Sequence, residues 1–503
     1  MANAQKTYDA LVTELREIAV LSSVGSLLGW DERTQLPPKG AEHRAAQGSV
    51  MAKLVHQRFT SLLIGDWLGE LEDSPLVSID ESDVAVNVRE TRRSYNRARK
   101  LPTALVEELA RLAVLAQHAW GEAKQNSDYA AFRPWLEKTL DLKRQEARCV
   151  GYQRDMYDAL LDEFEPGETA AGIRRTFEQL RGPLVELVGR IAGSGRKAPL
   201  EILERNYPPE AQQKLAREAA AAVGFDFEAG RLDVSLHPFC TGLGPGDTRM
   251  TTRYDPNYFG DAFFGVLHET GHALYDQGLE AAHFGTPRGE AVSLGIHESQ
   301  SRMWENLVGR GRAFWKHFFP KARTVFPDAM RDVTEDQWHF AINDVRPSLI
   351  RTEADETTYN LHVMLRFDLE QALLNDELAP ADLPAAWNQK MREYLGITPP
   401  DDARGCLQDI HWSGGAIGYF PTYTLGNLYA AQFFEKARQD LGDLDGQFAR
   451  GEFRPLLDWL RQHIHRHGKR HRAAELVKKG TGKDLSAEPL LRHLRSKSEL
   501  YLK

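Results

Sequence analysis

The chain has 503 residues, with 63 Lys and Arg against 72 Asp and Glu, a net charge of −9 and a pI near 6.0. Charge is spread evenly with no basic face or tail, which argues against a nucleic-acid partner; no apolar run reaches membrane-spanning length; and Met1–Tyr8 lacks the apolar core of a signal peptide. The three cysteines, Cys149, Cys240 and Cys406, are too scattered for a disulfide framework or a cysteine zinc site, so a cytoplasmic location is expected.

Helical periodicity dominates. Leu11, Leu15, Ile18, Leu21, Val24 and Leu28 mark a helix over 5–28, with a loop expected over 29–40. Pro102 suits the first turn of a helix over 101–124, carried by Leu105, Leu109, Leu112, Leu115, Ala116 and Trp120. The same spacing predicts helices over 169–194, 208–222, 290–309, 335–350, 355–375, 384–394 and 422–441. Strands are expected around 232–237, 250–254 and 288–293, and loops at 193–199, 241–247, 399–405 and 413–421. Length alone allows two or three domains. Without a flexible linker or an internal repeat, residues 1–503 read as one mainly α body, with two helical halves flanking a cleft.

Residues 268–272 read His-Glu-Thr-Gly-His. On a helix His268 and His272 stand one turn apart and point the same way. Two imidazoles so placed suit one divalent metal, and Glu269 beside them suits proton transfer from water. Phe263, Phe264, Val266, Leu267, Ala273 and Leu274 make this helix apolar nearly all round, so it reads as buried. Asp261 is expected to cap its start and Gly278 its end. The small sheet is expected near this helix.

A zinc hydrolase uses three protein ligands and keeps one position open. The third ligand is expected from 293–306, where spacing favours Glu298 over its neighbour His297. Glu305 reads as a supporting or surface carboxylate. A second run of histidines, His463, His465, His467 and His471, is interleaved with Arg and Lys. It reads as a helix C-terminal cap.

Six stretches in order carry a resemblance: His237-Pro-Phe239, Asp247-Thr-Arg-Met-Thr251, His268–His272, His297-Glu-Ser-Gln300, Ile350-Arg-Thr-Glu-Ala-Asp355 and Gly405-Cys-Leu-Gln-Asp-Ile-His-Trp412. With Gly29-Trp-Asp31 and Asn360–Phe367, the chain resembles the thermostable carboxypeptidase Taq family over nearly its full length. The resemblance implies metal-dependent carboxypeptidase activity with zinc or cobalt, a largely helical body with a long narrow cleft, and a homodimer. It also implies Glu298 as the third ligand. Arg249 and Arg351 are then expected to hold the C-terminal carboxylate of a peptide, since a guanidinium binds a carboxylate through two bonds. Local pairing, of Arg249 with Asp247 and of Arg351 with Glu353 or Asp355, is the alternative for each. His411 and Tyr423 resemble the substrate-facing His and Tyr of related helical zinc oligopeptidases. Tyr419 is a second candidate for the substrate carboxylate, and His237 for the peptide backbone. Gln408 and Asp409 are expected to anchor the loop that presents His411. The alternatives are an oligopeptidase that cuts internally and a helical scaffold around a structural metal.

Overall fold

The computed structural model describes residues 2–235 and 238–503. Nine helices come first: α1 (Ala2–Thr34), α2 (Ala41–Phe59), α3 (Leu62–Glu72), α4 (Asp83–Lys100), α5 (Thr103–Asn126), α6 (Tyr129–Val150), α7 (Met156–Phe164), α8 (Ala170–Gly193) and α9 (Pro209–Val223). A three-stranded sheet follows: β1 (Gly230–Val234), β2 (Cys240–Gly244) and β3 (Asp247–Thr252). Then come α10 (Gly260–Asp276), α11 (Leu294–Arg302), a π-helix (Met303–Gly309), α12 (Arg312–Val325), α13 (Glu335–Ala341), α14 (Glu356–Leu374) and α15 (Leu383–Leu395). The chain closes with α16 (Pro421–Leu441), α17 (Leu444–Ala449), α18 (Arg454–His463), α19 (Ala473–Thr481) and α20 (Glu488–Leu502).

Polar side chains start many of these helices by accepting a bond from an otherwise orphaned amide. Ser82 caps α4, Asp128 α6, Thr169 α8, Ser293 α11 and Asp355 α14. In the sheet, β3 is central: β1 runs parallel to it and β2 antiparallel, with an irregularity between Gly242 and Gly244. The helix α10 lies against this sheet, and α9 and α11 also pack on it.

Two apolar clusters span most of the described residues, and a third, of Leu105, Leu112, Ala116 and Leu142, joins α5 to α6. Of the first two, the larger gathers buried side chains from α5 through α20, α10 among them. The smaller joins Leu11, Leu15 and Ile18 of α1 to Ile64, Leu68 and Leu71 of α3 and to Val88 and Tyr95 of α4. The start of α10 is wedged into aromatics: Phe259 meets Trp338 at 4.9 Å and Phe263 meets Trp315 at 5.2 Å between ring centres. Each such pair adds about 0.5–1.5 kcal/mol beyond burial, so this end of the helix is held firmly.

Several expectations change. The segment 288–293 is no strand, since Pro287–Gly289 forms a 3-10 turn. It serves other partners: the Arg288 backbone amide donates to Asn87 Oδ1 at 3.0 Å and its side-chain Nε to Asp83 Oδ1 at 2.6 Å, tying it to α4. The helix expected over 335–350 stops at Ala341. Pro347 disfavours helix before it, and the Val345 amide is taken by the Tyr501 hydroxyl at 2.7 Å. The helix expected over 290–309 splits into α11 and the π-helix. The first helix runs past Gly29 to Thr34 because Trp30, 6% exposed, lies under Arg249 and Arg231. Asp261 falls in the first turn of α10 without capping it, and α10 ends at Asp276, before Gly278. Of the histidine run, His463 sits in the last turn of α18 and His467 in the last turn of the 3-10 helix His465–Arg470. His465 is buried and bonds Gln300 at 2.9 Å, and His471 pairs with Glu475 at 3.2 Å.

Candidate metal centre

His268, Glu269 and His272 project from the middle of α10, and Glu298 reaches them from α11. Glu298 Oε2 lies 3.6 Å from His268 Nε2 and 3.3 Å from His272 Nε2. Two ligands about 2.0–2.1 Å from one tetrahedral zinc stand about 3.4 Å apart. The three side chains therefore fit a single ion: their ligand atoms all lie within 4.8 Å of one another.

Two glycines allow this approach. A Cβ on Gly271 would sit 2.4 Å from the Gln300 carbonyl oxygen, so α10 and α11 touch backbone to backbone there. A Cβ on Gly426 would sit 2.6 Å from Glu298 Cγ, so α16 closes over that carboxylate from the other side.

A second layer orients the imidazoles. His268 Nδ1 meets Glu305 Oε2 at 2.9 Å. His272 Nδ1 meets His297 Nδ1 at 2.6 Å, and His297 Nε2 meets Asp276 Oδ1 at 3.0 Å. One set of tautomers satisfies every contact. A carboxylate only accepts, so His297 carries its proton on Nε2 toward Asp276, and its Nδ1 accepts from His272 Nδ1–H. His268 likewise donates Nδ1–H to Glu305. Both Nε2 lone pairs are then left pointing at Glu298, as metal ligation requires. His297, the rival third ligand, is thereby occupied in aligning His272.

Arg302 organises the acids, with Nε 2.7 Å from Glu298 Oε1 and Nη1 3.2 Å from Glu305 Oε2. Burial alone would raise the Glu298 carboxyl, but neighbouring positive charge, that of Arg302 first, outweighs it and holds it well below the usual carboxylate range. Burial pushes the His272 imidazole down to about 4, which keeps it neutral. Burial also pushes the Glu269 carboxyl, 7% exposed, up to about 7. A carboxyl poised there both takes and gives a proton near neutral pH.

A second group faces this one from the segment between α15 and α16 and from the first turn of α16. His411 Nε2 and Tyr423 Oη are 3.2 Å apart, and the Tyr419 ring lies 5.3 Å from both of theirs. Tyr423 links onward to Tyr359, their rings 5.9 Å apart, and Arg302 stacks on Tyr359 at 4.3 Å. That run of contacts joins the His411 group to Glu298. Burial pushes the His411 imidazole down to about 4.

The two arginines are both already partnered. Arg351, 5% exposed, gives Nε to Asp409 at 3.0 Å and Nη1 to the Tyr359 hydroxyl at 2.8 Å, beneath the Tyr423 ring. Arg249 forks onto Asp247 at 2.9 and 2.8 Å, the local pairing that its sequence neighbours suggest, and lies over Trp30. Gln408 and Asp409 bind the loop in place: Gln408 accepts from the Arg351 amide at 2.9 Å, and Asp409 takes both Arg351 and Arg366. His237 lies outside the described residues.

The family model described as carboxypeptidase Taq (M32) metallopeptidase matches residues 10–498. The chain belongs to the M32 family. The thermostable carboxypeptidase 1 of Thermus thermophilus is 51% identical over 502 residues, with 98% of each chain covered. Carboxypeptidase 1 of Bacillus subtilis is 40% identical, with 97% of each covered. The crystal structure of the M32 carboxypeptidase from Deinococcus radiodurans superposes with a TM-score of 0.96 at 41% identity, covering 99% of this chain and 100% of that one. This M32 chain is thus a metallocarboxypeptidase: it works with a divalent ion on peptide substrates. Among its described residues no helix is long and apolar enough to cross a membrane. Reading the M32 sequence alone missed Arg302 and Tyr359 as parts of the centre. Arg302, four residues after Glu298 and so on the same helix face, was the available signal; Tyr359 had none.

Proposed function

We propose that His268, His272 and Glu298 hold one ion and that this centre removes residues from the C-terminus of peptides. The observation that carries this is the convergence of three ligand atoms from α10 and α11 with Glu269 beside them. Two imidazoles and a carboxylate suit zinc, with cobalt as the alternative. When bound, such an ion supplies Lewis acidity and lowers the pKa of water.

The chain's own residues supply the rest. Glu269 takes a proton from the attacking water and passes it to the leaving amine. His411 and Tyr423 offer hydrogen bonds to the oxygen that becomes negative in the transition state. Recognition of the terminal carboxylate falls to Arg249 and Arg351, with Tyr419 and His237 along the peptide. Arg249 suits exchange of partners, because its present carboxylate Asp247 is 42% exposed and a substrate carboxylate offers the same two oxygens. Arg351 is buried on Asp409 and Tyr359, so its charge acts from below Tyr423.

Glu269→Gln is expected to retain metal at full stoichiometry and to lose roughly 10²–10⁴-fold in kcat. A variant of wild-type activity would overturn the assignment. A peptide amidated at its C-terminus is expected to survive an excess of enzyme that degrades the free acid; internal fragments from it would favour an oligopeptidase. We infer a single peptidase domain over 1–503, with two helical halves flanking the active-site cleft. We also infer a cytoplasmic homodimer. Three unpaired cysteines fit a reducing compartment, and light scattering tests the dimer.

A further inference from the structure

The helix α14 carries a fully buried carboxylate, Glu370, that the chemistry above does not use. It accepts three hydrogen bonds. Trp412 Nε1 donates to Oε1 at 2.8 Å, while the Gly418 amide at 3.2 Å and the Tyr157 hydroxyl at 2.6 Å donate to Oε2. All three donors are neutral, and two of them bracket the turn that follows His411. Trp412 is the next residue after His411. Gly418 precedes Tyr419 and lies just before the first turn of α16, where Tyr423 stands. Tyr157 ties the same carboxylate to α7.

His411 depends on such a clamp. Its Nε2 meets Tyr423, and its Nδ1 is buried without a hydrogen-bond partner among the described residues. The nearest acid, Asp409 Oδ1, is 4.0 Å from that nitrogen, beyond hydrogen-bond reach. No polar contact on the Nδ1 side therefore fixes the ring; its place is set by the Phe420 and Tyr419 rings packed on it at 4.6 and 5.3 Å, and by the backbone of the turn that carries all three. We propose that Glu370 is a positioning residue for hydrolysis: it closes the turn 412–418 from behind and so aims His411 and Tyr423 at the reacting carbonyl. This rests on the reading of His411 and Tyr423 as donors to the oxyanion.

Glu370→Gln tests it. An amide has one accepting oxygen, so whichever way it turns, its NH2 faces either the Trp412 N–H or the Gly418 N–H. On a peptide with a free C-terminus, kcat is expected to fall roughly 10- to 100-fold, as a shift of about an ångström at a reacting group does. KM and bound metal are expected to hold. Trp412→Phe removes the donor and leaves the carboxylate; it is expected to lower kcat alone, and the double variant to fall no further than the worse single one. Should Glu370→Gln fail to fold, Trp412→Phe carries the same kcat-against-KM test. Wild-type kcat in Glu370→Gln beside an impaired Tyr423→Phe overturns the positioning role. So does a loss of metal that runs in parallel with the loss of kcat. Full kcat in both Tyr423→Phe and His411→Ala overturns the reading of that pair, and the clamp with it.

Discussion

Glu165 shows how much a single buried acid matters away from the reaction. It accepts from Ser293 Oγ and the Gly295 amide, both at 2.9 Å, and from the Tyr429 hydroxyl at 3.1 Å, so it holds the first turn of the helix that bears Glu298. Burial pushes its carboxyl up to about 7, against 4.5 when exposed. Between those values the folded chain keeps a proton that the unfolded chain has released. Stability from this group is therefore fully present below about pH 4.5 and is lost as pH rises toward about 7, by about 3 kcal/mol at most. Glu165→Gln is expected to flatten that part of the Tm-against-pH curve; an unchanged slope would count against it. At this scale the sequence was readable where function packs into one turn. His268, Glu269 and His272 declare themselves by spacing alone. Glu165 and Glu370 do not, because their partners lie between 42 and 264 positions away and nothing local marks them.

The helices proposed to bear the ligands are approached closely where side chains are missing. Gly426 of α16 is one such place, since any β-carbon there runs into Glu298 of α11. Gly426→Ala is expected to leave the fold intact, to cost about 1–3 kcal/mol of stability as overpacking does, and to weaken metal binding roughly tenfold by displacing one ligand. Chelator competition measures the second effect, and unaltered affinity would show that Glu298 has room to move. The long helices were legible because their apolar periods are unbroken, as in α8, α14 and α16. The strand β2 was not. Its sequence, Cys-Thr-Gly-Leu-Gly, has turn composition, and it is a strand only because β3 offers it a paired edge. The π-helix was equally hidden, since its residues keep helical spacing and only tertiary contacts widen the turn.

Across the whole molecule the centre joins two elements that are separate in the chain. An ion held, as proposed, by both α10 and α11 would bind the folded state alone, so its removal is expected to lower Tm as well as activity. At an ion concentration about 1,000-fold above Kd the difference is about 4 kcal/mol. Calorimetry with and without chelator measures it; equal Tm values would mean that the two helices are held without the ion. The mainly helical class was plain from periodicity. How distant segments meet was not, because contacts such as Arg288 with Asp83 and Trp30 with Arg249 join residues far apart in the chain. The π-helical stretch after α11 carries its own consequence for how this chain tolerates changes in length. It holds more residues per turn than an α-helix, so one residue deleted between Arg302 and Glu305 would let the stretch relax into ordinary helix with its backbone bonds intact. Glu305, one position nearer Arg302 in a stretch of tighter turn, would then move round the axis, away from His268. Such a shortened chain would fold and still present all three ligands, yet one imidazole would have lost its alignment. The supporting layer of the centre is therefore written in the count of residues as much as in their identity.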